Sequence, residues 1–166
     1  MFQIQSRWQA TGLLYTAVLV AAIAAFPVQA EGEMKPFILA SVSAGTITDK
    51  HDGVKSALTS QGFEIAGEYS PYPAARIIIV TNNTLKKAAA SHDRAGYIAG
   101  QRVTLTEVGD QIQVAYTNPV YMGAAYRIET DLSGVRASLE AALGAEKEYG
   151  PEQGLTEQEL RKYHYT

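Results

Sequence analysis

The chain has 166 residues, with 14 Lys plus Arg against 17 Asp plus Glu, a formal charge of −3, and no cysteine. The missing thiols exclude disulfides, thiolate catalysis and cysteine metal sites, so packing alone must hold the fold. An acidic balance lacks the basic footprint of a nucleic-acid binder, and no nucleic-acid partner is expected.

Residues 1–30 read as a secretory signal. They contain no acid and one base, Arg7, followed by an apolar run over 13–26 and then Val28-Gln29-Ala30. A helix over that run would span roughly 21 Å, short of the ~30 Å hydrocarbon core. Cleavage between Ala30 and Glu31 is therefore expected, leaving an exported, periplasmic or secreted protein without a stable membrane anchor. Setting Arg7 aside from the 14 bases leaves 13 against 17 acids, a charge of −4 on residues 31–166. The expected layout is an α+β domain over 31–145, then a polar linker and a short C-terminal helix over 146–166.

Phe37-Ile38-Leu39-Ala40-Ser41-Val42 reads as a strand, apolar enough to be interior or covered at its edge. Thr48-Asp49 opens a helix with Val54 and Leu58 on one face. Gly62 stands where a left-handed residue ends a helix, with Phe63 as its apolar follower. Phe63, Ile65, Gly67 and Tyr69 alternate with Glu64, Ala66 and Glu68, the pattern of a strand with one wet face. Pro71 and Pro73 mark a turn, and the β-branched run Arg76 to Thr81 is the best candidate for a central strand. Asn82 or Asn83 caps a short helix carrying Leu85, Ala88 and Ala89, which gives way to a loop at Gly96 and Gly100.

Two alternating runs, Val103/Leu105 and Ile112/Val114/Tyr116, flank Gly109-Asp110 and predict a hairpin. Asn118-Pro119 then caps and opens another helix, proline falling where its missing N–H is no loss. Leu132, Val135, Leu139 and Leu143 give an amphipathic helix closed by Gly144. After the polar stretch 146–154, Thr156-Glu157-Gln158-Glu159 is a capping box, with Leu155 and Leu160 as its staple. That tail should dock, because so short a helix does not persist alone in water.

The order strand–helix–strand–strand–helix–hairpin–helix resembles the bacterial family known as domain of unknown function 302 over residues 37–143. The resemblance rests on Gly62-Phe63, the strand RIIIVTNN, the segment GQRVTLTEVGDQIQVAYTNP and the Asn118-Pro119 joint. It implies a single α+β domain with an antiparallel sheet and helices packed on one face, similar in architecture to TATA-binding-protein-like folds. Such an architecture does not carry DNA binding with it. The tail GLTEQELRKYHY also resembles exported members, which continue further. The family lends no established activity.

No catalytic motif appears. Ser41, Ser43, Ser56 and Ser60 lie near His51 in sequence, but no nucleophile elbow frames any of them, so a hydrolase would need a site invisible in sequence. Three scattered histidines do not predict a metal, and no glycine-rich phosphate loop predicts a nucleotide, so no cofactor is expected. Lys86-Lys87 reads as a wet helix face. The feature above background is YTNPVYMGAAYR, residues 116–127, with three of the ten tyrosines. Met122 and Tyr126 share a helix face at i,i+4 and Tyr121 stands beside Ala125, so Tyr121 and Tyr126 cannot both be core. Two readings stand. The cluster is a packed joint with a hydroxyl at the surface, or Tyr116, Asn118, Tyr121, Met122 and Tyr126 wall a cleft for a small apolar or aromatic ligand, with Gly123-Ala124-Ala125 leaving room. An interaction or homodimer module would instead expose an apolar sheet face or edge.

Overall fold

The computed structural model describes residues 32–164; the expected leader with its Ala30–Glu31 cleavage point, and the last two residues, lie outside them. Six strands, β1 (Phe37–Ala44), β2 (Glu64–Tyr69), β3 (Ala75–Thr81), β4 (Gln101–Val108), β5 (Gln111–Thr117) and β6 (Lys147–Tyr149), form one sheet in the order β2-β3-β4-β5-β1-β6. Every pairing is antiparallel. The helices are α1 (Ile47–Ser60), α2 (Asn83–Ala89), α3 (Pro119–Ala125), α4 (Ser133–Leu143) and α5 (Glu157–Lys162), with a 3-10 turn at Ala95–Ile98. This is the expected α+β domain with an antiparallel sheet.

One face of the sheet makes the core. Ile38, Ile78, Val80, Val103, Leu105, Ile112, Val114 and Tyr116 project from alternate strand positions into a single cluster. Leu58 of α1, Leu85 of α2, Ile98 of the 3-10 turn and Val135 and Leu139 of α4 fill it from the other side. The opposite face carries Phe37, Leu39, Ile77 and Ile79, all only half-buried. Burial on one side alone is why β3, apolar at nearly every position, has two different faces.

Local chemistry sets the element ends. Gly62, at φ 81, closes α1 in a Schellman motif: its N–H reaches Thr59 O at 3.0 Å, and the N–H of Phe63 reaches Leu58 O at 3.1 Å. The start of α1 is two residues earlier than expected, because Thr46 and Asp49 form a reciprocal capping box. Gly109 turns the β4–β5 hairpin at φ 64, the sign a tight hairpin requires at its first central position. Asn82, not Asn83, caps α2, and Asn118 caps α3 with Pro119 at the first helical position.

The stretch read as a linker is part of the fold. Residues 147–149 pair with β1 as an edge strand, and Glu148 joins Arg136 of α4 at 2.7 Å. Beyond it, Thr156 and Glu159 form the expected capping box, and Leu160, 1% exposed, packs on Ala124 and Ala125 of α3. Met34 and Leu155 form a backbone bridge beside this contact. The tail docks through Leu160, while Tyr163 stays 52% exposed.

Candidate functional site

The five residues proposed to wall a cleft divide into three groups. Tyr116 is 1% exposed on the core face, and its hydroxyl donates to Gly144 O at 3.2 Å. Burial pushes its pKa up to about 12. Asn118 is fully buried and structural: its Oδ1 accepts from the N–H of Val120, and its Nδ2 donates to Lys35 O. These two belong to the joint, with the Tyr116 ring on the core face while the residue also borders a hollow on the open face of the sheet.

Tyr121 turns toward α5, packing with Met34 and Leu155. It lines a hollow of about 360 Å³ whose rim carries Glu33, Gln153 and Glu159. Met122 and Tyr126 point elsewhere, into a groove of about 370 Å³ with Ile79, Tyr97, Gly100, Gln101, Arg102 and Thr117. The split follows from helix geometry, since residues five apart sit roughly 140° apart around an α-helix. Tyr126 is the C-terminal cap of α3 rather than an interior residue, but its N–H still bonds Met122 O, so the two side chains stay on one face.

Tyr97 is the residue the sequence reading missed. It projects from the 3-10 turn, 75% exposed, and its ring stacks on Tyr126 with centroids 5.6 Å apart and planes tilted by 28°. Such offset stacking fixes an aromatic wall without burying it. Gly100 belongs to the same construction: a β-carbon there would stand 2.9 Å from Ile79 Cγ2. The volume falls in the range of small-molecule sites.

The groove continues onto the open sheet face. A second hollow, about 190 Å³, shares Arg102 and Thr117 with it and adds Phe37, Ile77, Thr104, Tyr116 and Tyr149. Phe37 and Tyr149 lie with ring centroids 5.5 Å apart. The two hollows thus adjoin through Arg102 and Thr117, the groove with a mixed polar and aromatic lining and the sheet hollow with a mainly apolar one.

The room at Gly123-Ala124-Ala125 opens away from the tyrosines: Gly123 and Ala124 line a separate hollow of about 270 Å³ with Ile128, Leu132 and Arg161. A β-carbon on Gly123 would come within 2.9 Å of Leu132 Cδ1, and the two alanines receive Leu160. Arg127 follows at φ 58, a left-handed conformation normally left to glycine. Its guanidinium donates to Arg161 O and Tyr163 O at 2.9 and 3.0 Å, closing the C-terminal end of α5.

Around His51 the geometry is that of an ion-pair cluster. Its Nδ1 faces Asp52 at 3.0 Å and its Nε2 faces Glu68 at 2.5 Å, while Lys55 holds the other Glu68 oxygen at 2.9 Å. Hydrogen bonds from Lys55, then from His51, bring the Glu68 pKa down to about 2. Ser60 spends its hydroxyl on Ser56 O, and His92 is exposed. Among the described residues no three His, Asp or Glu side chains converge as a metal site would require, and no helix is long and apolar enough to cross a membrane.

No family model matches the chain, and no curated protein matches it. Among solved structures it is similar to an uncharacterized conserved protein, DUF302, from Bacillus stearothermophilus, with a TM-score of 0.52 and 12% identity. The likeness covers 62% of this chain and 92% of that one. At that identity it speaks for the fold alone, and the fold agrees with the architecture the sequence motifs implied.

Proposed function

We propose that this protein is an exported, non-catalytic domain of the 302 type that holds a small apolar or aromatic ligand in the groove between Tyr97, Met122, Tyr126 and Ile79. Export rests on the leader pattern of residues 1–30. The observation that carries the binding reading is the stacked Tyr97–Tyr126 pair, a preformed aromatic wall beside a thioether and a β-branched floor. Both ring nitrogens of His51 are engaged by carboxylates, which weighs against the hydrolase alternative.

The test is titration with the neutral fluorescent dye N-phenyl-1-naphthylamine. Wild type and Tyr121→Ala should enhance its emission alike, while Tyr97→Ala and Tyr126→Ala should lose most of the enhancement without unfolding. Equal binding by all four proteins would contradict the groove. A second reading, a homodimer or envelope interaction module, draws on the half-exposed Phe37, Leu39, Ile77 and Ile79 of the open sheet face. Sedimentation during the titration separates the two: a dimer that the dye cannot enter would favour the second.

A further inference from the structure

The open face of the sheet has a charge pattern that runs against the rest of the chain. Partners in the antiparallel register share a face, so its residues can be followed strand by strand. In one row Ile79 pairs with Arg102, whose N–H meets Thr117 Oγ1; Thr117 pairs with Phe37, and Phe37 with Tyr149. In the next row Tyr69 pairs with Ile77, then follow Thr104, Ala115, Leu39 and Lys147. Across the described strands the one carboxylate with this orientation is Glu64, opposite Thr81 at the outer end of β2, and Lys86 holds it at 2.7 and 2.9 Å. A chain of formal charge −3 therefore presents a face of mixed apolar residues, threonines and glutamines that bears a central arginine, a lysine at its edge and one acid already paired.

Arg102 stands where the aromatic groove and the sheet hollow meet, lining both. Among the described residues its guanidinium bonds no carboxylate and no carbonyl. Arg127, Arg136 and Arg161 each do, whereas Arg76, on the core face of β3, and Arg94 share its lack of a partner among the described residues. Arg102 is solvent-exposed, so what it offers is geometry: a guanidinium matches a carboxylate with two parallel bonds.

We infer that the ligand is an amphipathic organic anion, with its carboxylate on Arg102 and its apolar body lying along the Tyr97–Met122–Tyr126 groove or over Phe37, Ile77 and Tyr149. This rests on the groove being a binding site at all. The compact aromatic acid and the straight-chain acid share the recognised chemistry, and the test takes one of each.

The purified protein is titrated calorimetrically with two matched pairs: 1-naphthaleneacetate against 1-naphthaleneacetamide, and decanoate against decanol. At least one acid should bind about ten-fold more tightly than its neutral partner, as a charge-assisted pair predicts, and added salt should narrow that gap. Arg102→Gln should weaken the preferred acid about ten-fold more than its neutral partner, and Arg102→Lys should restore part of the difference. An unchanged melting temperature shows that both variants are folded. Acid and neutral members binding wild type alike, or Arg102→Gln retaining the preference, would overturn the inference and leave the groove standing. If neither member of either pair binds wild type, the binding reading itself fails.

Discussion

Replacing Tyr116 by phenylalanine deletes one buried hydroxyl and should make the stability curves of variant and wild type cross. At neutral pH the variant loses the bond from Tyr116 Oη to Gly144 O, 3.2 Å long, worth about 1 kcal/mol net. The phenol also titrates, and burial raises its pKa from 10.0 to about 12. A raised folded-state pKa gives stability that is full below the unfolded value and lost as pH climbs through the folded one. The wild type should therefore give up roughly 2–3 kcal/mol between pH 10 and 12 on this account, at 1.36 kcal/mol per pH unit, and the phenylalanine variant should not. Every other tyrosine titrates in both proteins, so the difference between them isolates Tyr116. Urea unfolding at steps from pH 7 to 12 should find wild type the more stable at neutrality, with the order reversing near pH 11, roughly where the alkaline loss passes the hydrogen-bond term. Parallel curves that never meet would refute the idea that this hydroxyl is sealed in the core.

Three further outcomes follow from the same structure. Glu68, lowered from 4.5 to about 2, contributes stability that is present above pH 4.5 and lost as pH falls through 2; acid melting curves should show that limb in wild type and lack it in Glu68→Gln. Gly62→Ala meets open space at φ 81 and should cost about 1–2 kcal/mol from backbone strain alone. Gly144→Ala, at φ 93, adds a β-carbon 2.8 Å from Ala40 O and should cost more, so equal denaturant midpoints for the two would be the wrong answer. Leu160→Ala should release α5 locally, read as lost hydrogen-exchange protection at residues 157–162 while β3 to β5 stay protected.

What could be read from the sequence was local. The Gly62-Phe63 helix stop, the Gly109-Asp110 hairpin, the Asn118-Pro119 joint and the Thr156 capping box each depend on residues within one turn of chain, and each forms. The start of α1 slipped because Thr46 and Thr48 are both plausible caps, and the reciprocal bond with Asp49 decides for Thr46. β6 is three residues, Lys-Glu-Tyr, with no apolar alternation; it is a strand because β1 offers it an edge, which is a tertiary event. Tyr97 had no signal at all. It sits in a 3-10 turn, remote in sequence from Tyr126, and only the packing of that turn beside α3 brings the rings together. The tyrosine crowding in YTNPVYMGAAYR has a mixed structural basis: Tyr116 and Asn118 build the joint, while Met122 and Tyr126 line the groove.

The most direct test is to see where a neutral apolar molecule binds. Two-dimensional NMR of the protein, labelled at tyrosine rings, methionine methyls and isoleucine methyls, can be followed during titration with N-phenyl-1-naphthylamine. Shifts and intermolecular contacts should concentrate on Tyr97, Tyr126, Met122 and Ile79 and fade toward Ile77, with the rings of Tyr116 and Tyr121 unmoved. Contacts centred on Tyr121 and Met34, or perturbations spread evenly over the surface, would contradict it.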